Sequence, residues 1–159
     1  MPPHVLVAYA TLRGTTRGVA ETIGTAMRNA GMQVDVRRAS GVNDCTGYAA
    51  VVLGTPLYAG KVLKEARLFP FTHRKALKEI PFYVFLVGMS LGRPGRGQVR
   101  KANDALIPMK EQVEVREVGY FGGALGLLDL RDPAKIEGWA IDIARVIRQE
   151  RALISKPNG

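Results

Sequence analysis

Two stretches of the chain, Ala49–Leu53 (AAVVL) and Phe82–Val87 (FYVFLV), are apolar without a break. A strand with one wet face alternates apolar and polar residues, so unbroken runs belong to strands covered on both faces. Such strands occur in parallel sheets, and parallel neighbours need long crossovers, usually helices. The remaining sequence supplies both kinds of element. His4–Tyr9 reads as a first strand, Gln33–Arg37 as a second with Val34 and Val36 alternating, and Val115–Phe121 as the last. Val19, Ala20, Ile23, Met27 and Ala30 recur at spacings of three and four, which predicts a helix from about Thr16 to Ala30 closed by Gly31. Ser40–Gly47 is short and polar, with room for little helix. Lys61–Lys78 is a helical stretch interrupted at Pro70, and Gln98–Gln112 a helix bent at Pro108. The final helix opens at Asp132–Pro133, a capping residue followed by proline at the first helical position. Its inner face is Ile136, Trp139, Ala140, Ile143 and Ile147, so Trp139 is read as core. Arg148–Gly159 is expected to fray into a polar tail.

The pattern predicts an α/β fold: a three-layer α-β-α sandwich around a five-stranded parallel sheet of order 2-1-3-4-5. The 159 residues fit one domain spanning 1–159, with 155–159 as a frayed end. Hydrophobic content of 47% and charged content of 23% are ordinary for a globular chain. No apolar run approaches a membrane span and no leader pattern stands at the start, so a cytoplasmic protein is expected. The single Cys45 has no neighbouring His and is not read as a catalytic thiol.

In that strand order, ligands sit at the carboxyl ends of the central strands. Three polar, glycine-bearing loops fall there. The first, Tyr9–Arg17 (YATLRGTTR), joins a strand to a helix N-terminus, where unpaired backbone N–H groups and the helix dipole favour an anion. Thr11, Thr15 and Thr16 offer hydroxyls, Gly14 allows positive φ, and Arg13 and Arg17 add charge. Taken alone, this stretch reads equally as a phosphate loop or as an ordinary turn whose threonines cap the helix. It lacks the G-x-G-x-x-G dinucleotide fingerprint. The second loop, Gly54–Gly60, leads into Lys61 but fails the P-loop spacing, and Val62 stands where a Ser or Thr must meet magnesium. The third is Gly88–Gly97.

These residues resemble the flavodoxin-like FMN-binding family, and within it the flavodoxin-domain group that includes menaquinone-dependent protoporphyrinogen dehydrogenase. Thr11–Arg17 is similar to that group's T-x-x-G-x-T-R loop, Gly54–Gly60 to its second loop, Leu86–Pro94 to its third, and Gly122–Leu125 to the small-residue stretch after the last strand. The resemblance implies an FMN site. Thr11, Leu12, Arg13, Gly14, Thr15 and Thr16 would hold the phosphate. Thr55, Pro56, Leu57, Tyr58, Ala59 and Gly60 would lie beside the flavin ring, with Tyr58 stacking on it. Gly88, Met89, Ser90, Leu91 and Gly92 would form the third wall. Arg13 replaces a Thr or Ser of typical flavodoxins, and the third loop has no aromatic residue. Ala124 to Asp132 is expected as a short loop where the dehydrogenases carry a longer basic, apolar segment thought to face quinone and membrane.

The implied function is an FMN-binding redox protein that transfers electrons or oxidises a small anionic substrate, and so a possible FMN-dependent oxidoreductase. The alternative is a flavin-free anion-binding or regulatory module on the same fold. The net charge of +9, with Arg13, Arg17, Lys61, Arg93 and Arg96 expected near the crevice mouth, favours an anionic partner. That partner is an acidic redox protein or a quinone or porphyrin-type molecule. Peripheral membrane contact is compatible with it. The scattered basic residues carry no nucleic-acid motif. A phospho-acceptor receiver would need acidic residues where Ala10-Thr11 and Gly54-Thr55 stand. A hydrolase would need a nucleophile elbow and a His base. His4 and His73 read as surface residues, and no metal cluster is visible.

Overall fold

The computed structural model of the chain describes residues 1–155. Five strands, β1 (His4–Tyr9), β2 (Gln33–Arg38), β3 (Ala50–Tyr58), β4 (Phe82–Gly88) and β5 (Val118–Gly122), form a parallel sheet in the order β2-β1-β3-β4-β5. The helices are α1 (Thr15–Asn29), α2 (Lys64–Thr72), α3 (Arg74–Leu77), α4 (Arg96–Ala105), α5 (Ile107–Lys110) and α6 (Pro133–Ser155). Alternate residues of one strand enter opposite cores. Val5 and Val7 of β1 join Ile23 and Met27 of α1 and Ile143 and Ile147 of α6. Leu6 and Ala8 join Phe69 of α2, Ala102 of α4 and Met109 of α5. Both faces of the sheet are covered, which is why β3 and β4 tolerate no polar alternation. The expected three-layer architecture and strand order are therefore present, and the chain reverses direction across the sheet between β1 and β3.

Several boundaries differ from expectation. α2 passes through Pro70, whose missing N–H leaves the Ala66 carbonyl without its helical donor, and closes three residues later at His73, whose N–H still donates to the Phe69 carbonyl. The second break falls at Leu106. Pro108 is the second residue of α5, where a missing N–H costs nothing. The final helix does not fray at Arg148 but continues to Ser155. Arg148 donates to the Ala30 carbonyl at the end of α1, and Glu150 pairs with Arg116 ahead of β5, so its last turns are tethered. Residues 156–159 of the expected tail lie outside those described.

Candidate functional site

The loop after β1 turns on two features of its sequence. Gly14 sits at φ 88° and caps α1, and its N–H donates to Thr11 Oγ1 at 2.9 Å. A residue with a Cβ is strained at that φ, so glycine is required for the turn. The Thr11 hydroxyl keeps its own proton to donate. Beyond it, the backbone N–H groups of Thr15, Thr16 and Arg17 have no partner among the described residues, and no acidic side chain stands in the first turn of α1. Free donors at a helix start, with no carboxylate and a neighbouring arginine, make the local potential positive and favourable to an anion.

Thr15 and Thr16 of this helix start border a cavity of about 280 Å³ at the carboxyl ends of the strands. Thr11, Arg13, Thr15 and Thr16 line it on one side, and Pro56, Leu57, Tyr58 and Ala59 line it at the end of β3. Gly88, Met89 and Ser90 line it after β4. Arg13 is the one charged residue in the lining, so the cavity is electropositive. Tyr58 is 45% exposed at the rim. The cavity opens where β1 stops pairing with β3, at Tyr9 opposite Gly54, while β3 runs on beside β4 as far as Pro56 opposite Val87. Three residues outside the expected set also line it: Val87, Gly123 and Ala124. The small residues after β5 were the signal for the last two.

Six expected residues do not line the cavity. Leu12 projects into solvent at the loop tip, Gly14 shapes the loop, and Gly60 shapes the turn after β3. Leu91 is fully buried in the core, and Gly92 packs under Leu130. Thr55 is fully buried as well; its hydroxyl accepts the Leu63 N–H at 3.3 Å and bonds the Pro56 carbonyl at 3.0 Å. The expected loop Gly54–Gly60 is mostly strand. β3 extends to Tyr58, pairs with Lys61–Val62 and reverses over Ala59 and Gly60, both at positive φ. Gly54 is a strand glycine: a Cβ there would lie 2.0 Å from the Phe85 ring, which crosses the glycine from the neighbouring strand. The segment Ala124 to Asp132 is no plain loop. Ala124–Leu125 pairs with Leu128–Asp129 as a small hairpin.

The model of the flavodoxin domain matches residues 6–135, a span holding β1 from Leu6 onward, the other four strands whole and every wall of this cavity. The chain belongs to the flavodoxin-domain family. Among solved structures this flavodoxin domain is similar to a flavodoxin from the domain Archaea, at 20% identity and TM-score 0.66, over 91% of this chain and 99% of that one. It is similar to an oxidoreductase from Corynebacterium diphtheriae, at 17% identity and TM-score 0.65, over 93% and 98%. It also matches part of the rubredoxin oxygen:oxidoreductase of Desulfovibrio gigas, at 14% identity and TM-score 0.67, over 95% of this chain and 38% of that one. At these identities the likeness bears on the fold. No curated protein sequence matches the chain.

The titratable groups of this flavodoxin domain lie mostly away from the cavity. Cys45 is fully buried, and burial, reinforced by the charge of Asp44, pushes its thiol up to about 11. It stays protonated and unreactive at neutral pH. His73 is not a surface residue: it is buried against Phe69, ring centroids 4.5 Å apart, and burial lowers its pKa. His4 is half-buried, with Nε2 2.9 Å from Asp35 Oδ2. Asp35 also accepts the Tyr48 hydroxyl at 2.7 Å, and this bond is the main cause of its lowered pKa. Among the described residues no group of acidic, His or Cys side chains is placed to hold a metal, and no helix is long and apolar enough to cross a membrane.

Proposed function

We propose that this flavodoxin domain binds FMN and acts as a redox protein, carrying electrons or oxidising a small anionic substrate. The observation that carries the proposal is the convergence of free helix-start donors, Arg13 and the walls after β3, β4 and β5 on one electropositive cavity at the strand ends. The residues fit the group. The N–H groups of Thr15 and Thr16, the Thr11 and Thr16 hydroxyls and Arg13 would hold the phosphate. Each charge-assisted hydrogen bond is worth roughly 1.5–3 kcal/mol, and the helix terminus adds roughly 0.3–1 kcal/mol. Tyr58 would stack on one face of the ring, and the backbone at Tyr58–Ala59 would border the flavin. Met89 and Ser90 offer no second aromatic, which leaves that face free for a substrate or partner. When bound, FMN supplies the electron-accepting ring; the chain supplies its position and surroundings.

In this reading residues 1–159 act as one domain in a reducing compartment, the cytoplasm, and Arg13 together with the net charge of +9 favours a negatively charged redox protein or small molecule. Oxidation of a carboxylated porphyrinogen with quinone as acceptor is its most specific form, supported by the net charge of +9, by Arg13 in the lining and by the aromatic-free wall at Met89 and Ser90. The test is the visible spectrum of the purified protein, followed by fluorescence titration with FMN. A flavin band or saturable quenching, weakened in Tyr58→Ala, is the expected result. Failure to bind FMN at micromolar protein overturns the redox reading and leaves a flavin-free anion module.

A further inference from the structure

We propose that a cleft at the amino ends of β3 and β4 is a second ligand site, one that takes a small primary ammonium carrying a compact apolar body. The proposal does not rest on FMN.

The cleft lies between the turn ahead of β3, at Asp44, Thr46 and Gly47, and the corner where α2 passes into α3 and on toward β4. Its volume is about 580 Å³, within the roughly 300–1,000 Å³ that suits small molecules. It shares no residue with the cavity at the carboxyl ends of the strands. The 9 residues of β3 separate the two, roughly 26 Å at about 3.3 Å per step.

His73 is the group that points to a ligand. It is only 8% exposed and lies tilted against Phe69. Its main-chain N–H donates to the Phe69 carbonyl and its carbonyl accepts the Leu77 N–H, but its ring makes no hydrogen bond among the described residues. The polar side-chain atoms sealed from solvent without a partner are His4 Nε2, the Tyr83 hydroxyl and Trp139 Nε1. The His73 nitrogens are not among them, so they reach open space, and the cleft is the cavity that His73 lines. A buried imidazole aimed into a cavity is hydrogen-bonding capacity that the chain itself does not use. Burial lowers its pKa, so at neutral pH the ring is uncharged and offers an acceptor lone pair.

Charge selects the ligand. Asp44 and Glu79 bring two carboxylates to the lining against one ammonium, Lys75, on a chain whose net charge is +9. Thr46 holds Asp44 ionised: its N–H and hydroxyl donate to Asp44 Oδ1 at 2.9 and 2.8 Å and lower the carboxyl pKa. Neither carboxylate has a Lys or Arg partner among the described residues. Lys75 is exposed and can extend into water. The Thr72 hydroxyl is occupied by the Leu68 carbonyl. Ala76 and Ile80, packed against the core beneath, make an apolar wall. An ammonium would therefore find two carboxylates and a neutral imidazole, and its apolar body would find Ala76 and Ile80. An anion would face the same two carboxylates with only Lys75 in its favour. Among the described residues these groups are not placed to hold a metal.

The test is titration of the purified protein, with and without saturating FMN, with benzylamine as the probe and benzyl alcohol and benzoate as matched controls, read by amide NMR. The expected result is saturable benzylamine shifts at residues 44–47 and 72–80 that FMN leaves unchanged. Benzyl alcohol and benzoate should bind at least roughly tenfold more weakly, because they lack the charge-assisted donor. His73→Phe keeps a ring against Phe69 and removes the acceptor; Asp44→Asn with Glu79→Gln changes exposed side chains only. Each should weaken benzylamine by roughly tenfold, and Lys75→Ala should not weaken it. Absence of saturable shifts at these residues overturns the proposal. So does benzoate binding as tightly as benzylamine, or unchanged affinity in either the His73 or the carboxylate variant. Shifts that ammonium chloride reproduces assign the effect to ionic strength and overturn it as well, and displacement of benzylamine by FMN overturns the second site.

Discussion

Gly54→Ala is the substitution that best separates a structural glycine from a ligand-loop glycine. The added Cβ would lie 2.0, 2.3 and 2.5 Å from three atoms of the Phe85 ring. Ordinary carbon contacts begin near 3.5 Å, so the ring must retreat by on the order of 1 Å. It has nowhere to go: Phe85 is fully buried, with Phe121 and Trp139 centroids 6.1 and 6.2 Å away. Overpacking costs typically about 1–3 kcal/mol, and a contact this short against a confined ring belongs at the top of that range. For a chain of this length about 3 kcal/mol lowers Tm by roughly 6–12 °C. The assay is urea unfolding of the apoprotein, where the midpoint should fall with an unchanged slope. Phe85→Leu costs stability by itself but removes the clash. In that background Gly54→Ala should recover roughly 1.5–2 kcal/mol as coupling between the two sites. Additive costs, or a Gly54→Ala variant that keeps full stability and loses only FMN binding, would refute the argument and return Gly54 to the ligand loop.

Three further outcomes follow from the same geometry. Arg13→Ala should weaken FMN by about tenfold by fluorescence titration, the low end for a charge-assisted bond because the guanidinium is solvated, and Thr16→Val should weaken it similarly without affecting folding; unchanged affinity in both removes the phosphate from this loop. Ala59→Gly should stabilise the apoprotein by about 0.5–1 kcal/mol in urea, because Ala59 is held at φ 48° and the relief of left-handed strain exceeds the extra chain entropy of glycine; a loss of stability refutes the strain. His73 has its pKa lowered by burial, so between its folded value and the ordinary value near 6.5 the unfolded chain binds the proton the folded one refuses. Its contribution is therefore present above about pH 6.5 and lost as pH falls below it, and His73→Phe should flatten the urea midpoint between about pH 7 and 5; an unchanged slope there assigns the pH dependence elsewhere.

The parts of this fold that the sequence made legible are those set by local period. AAVVL and FYVFLV declare strands covered on both faces, and the three- and four-residue spacing in α1 and α6 declares their inner faces. The first loop was legible because Gly14 and the threonines act within a few residues of one another. What escaped was set across the sheet. Gly54 next to a Thr-Pro pair has the punctuation of a loop, yet the chain stays extended there, paired with Tyr9 on one side and Phe85 on the other, and the glycine makes room for the Phe85 ring. Thr55 reads as a loop residue for the same reason; in the structure it is buried and its hydroxyl accepts the Leu63 N–H. The paired two-residue strands of the 124–129 hairpin are shorter than any period can register, so leucines that form an outward tip looked like a plain connection. Their exposure is itself physically informative. The chain has closed both cores without them, and Leu125, Leu127 and Leu128 stay in water as apolar surface that the packing of those cores does not use.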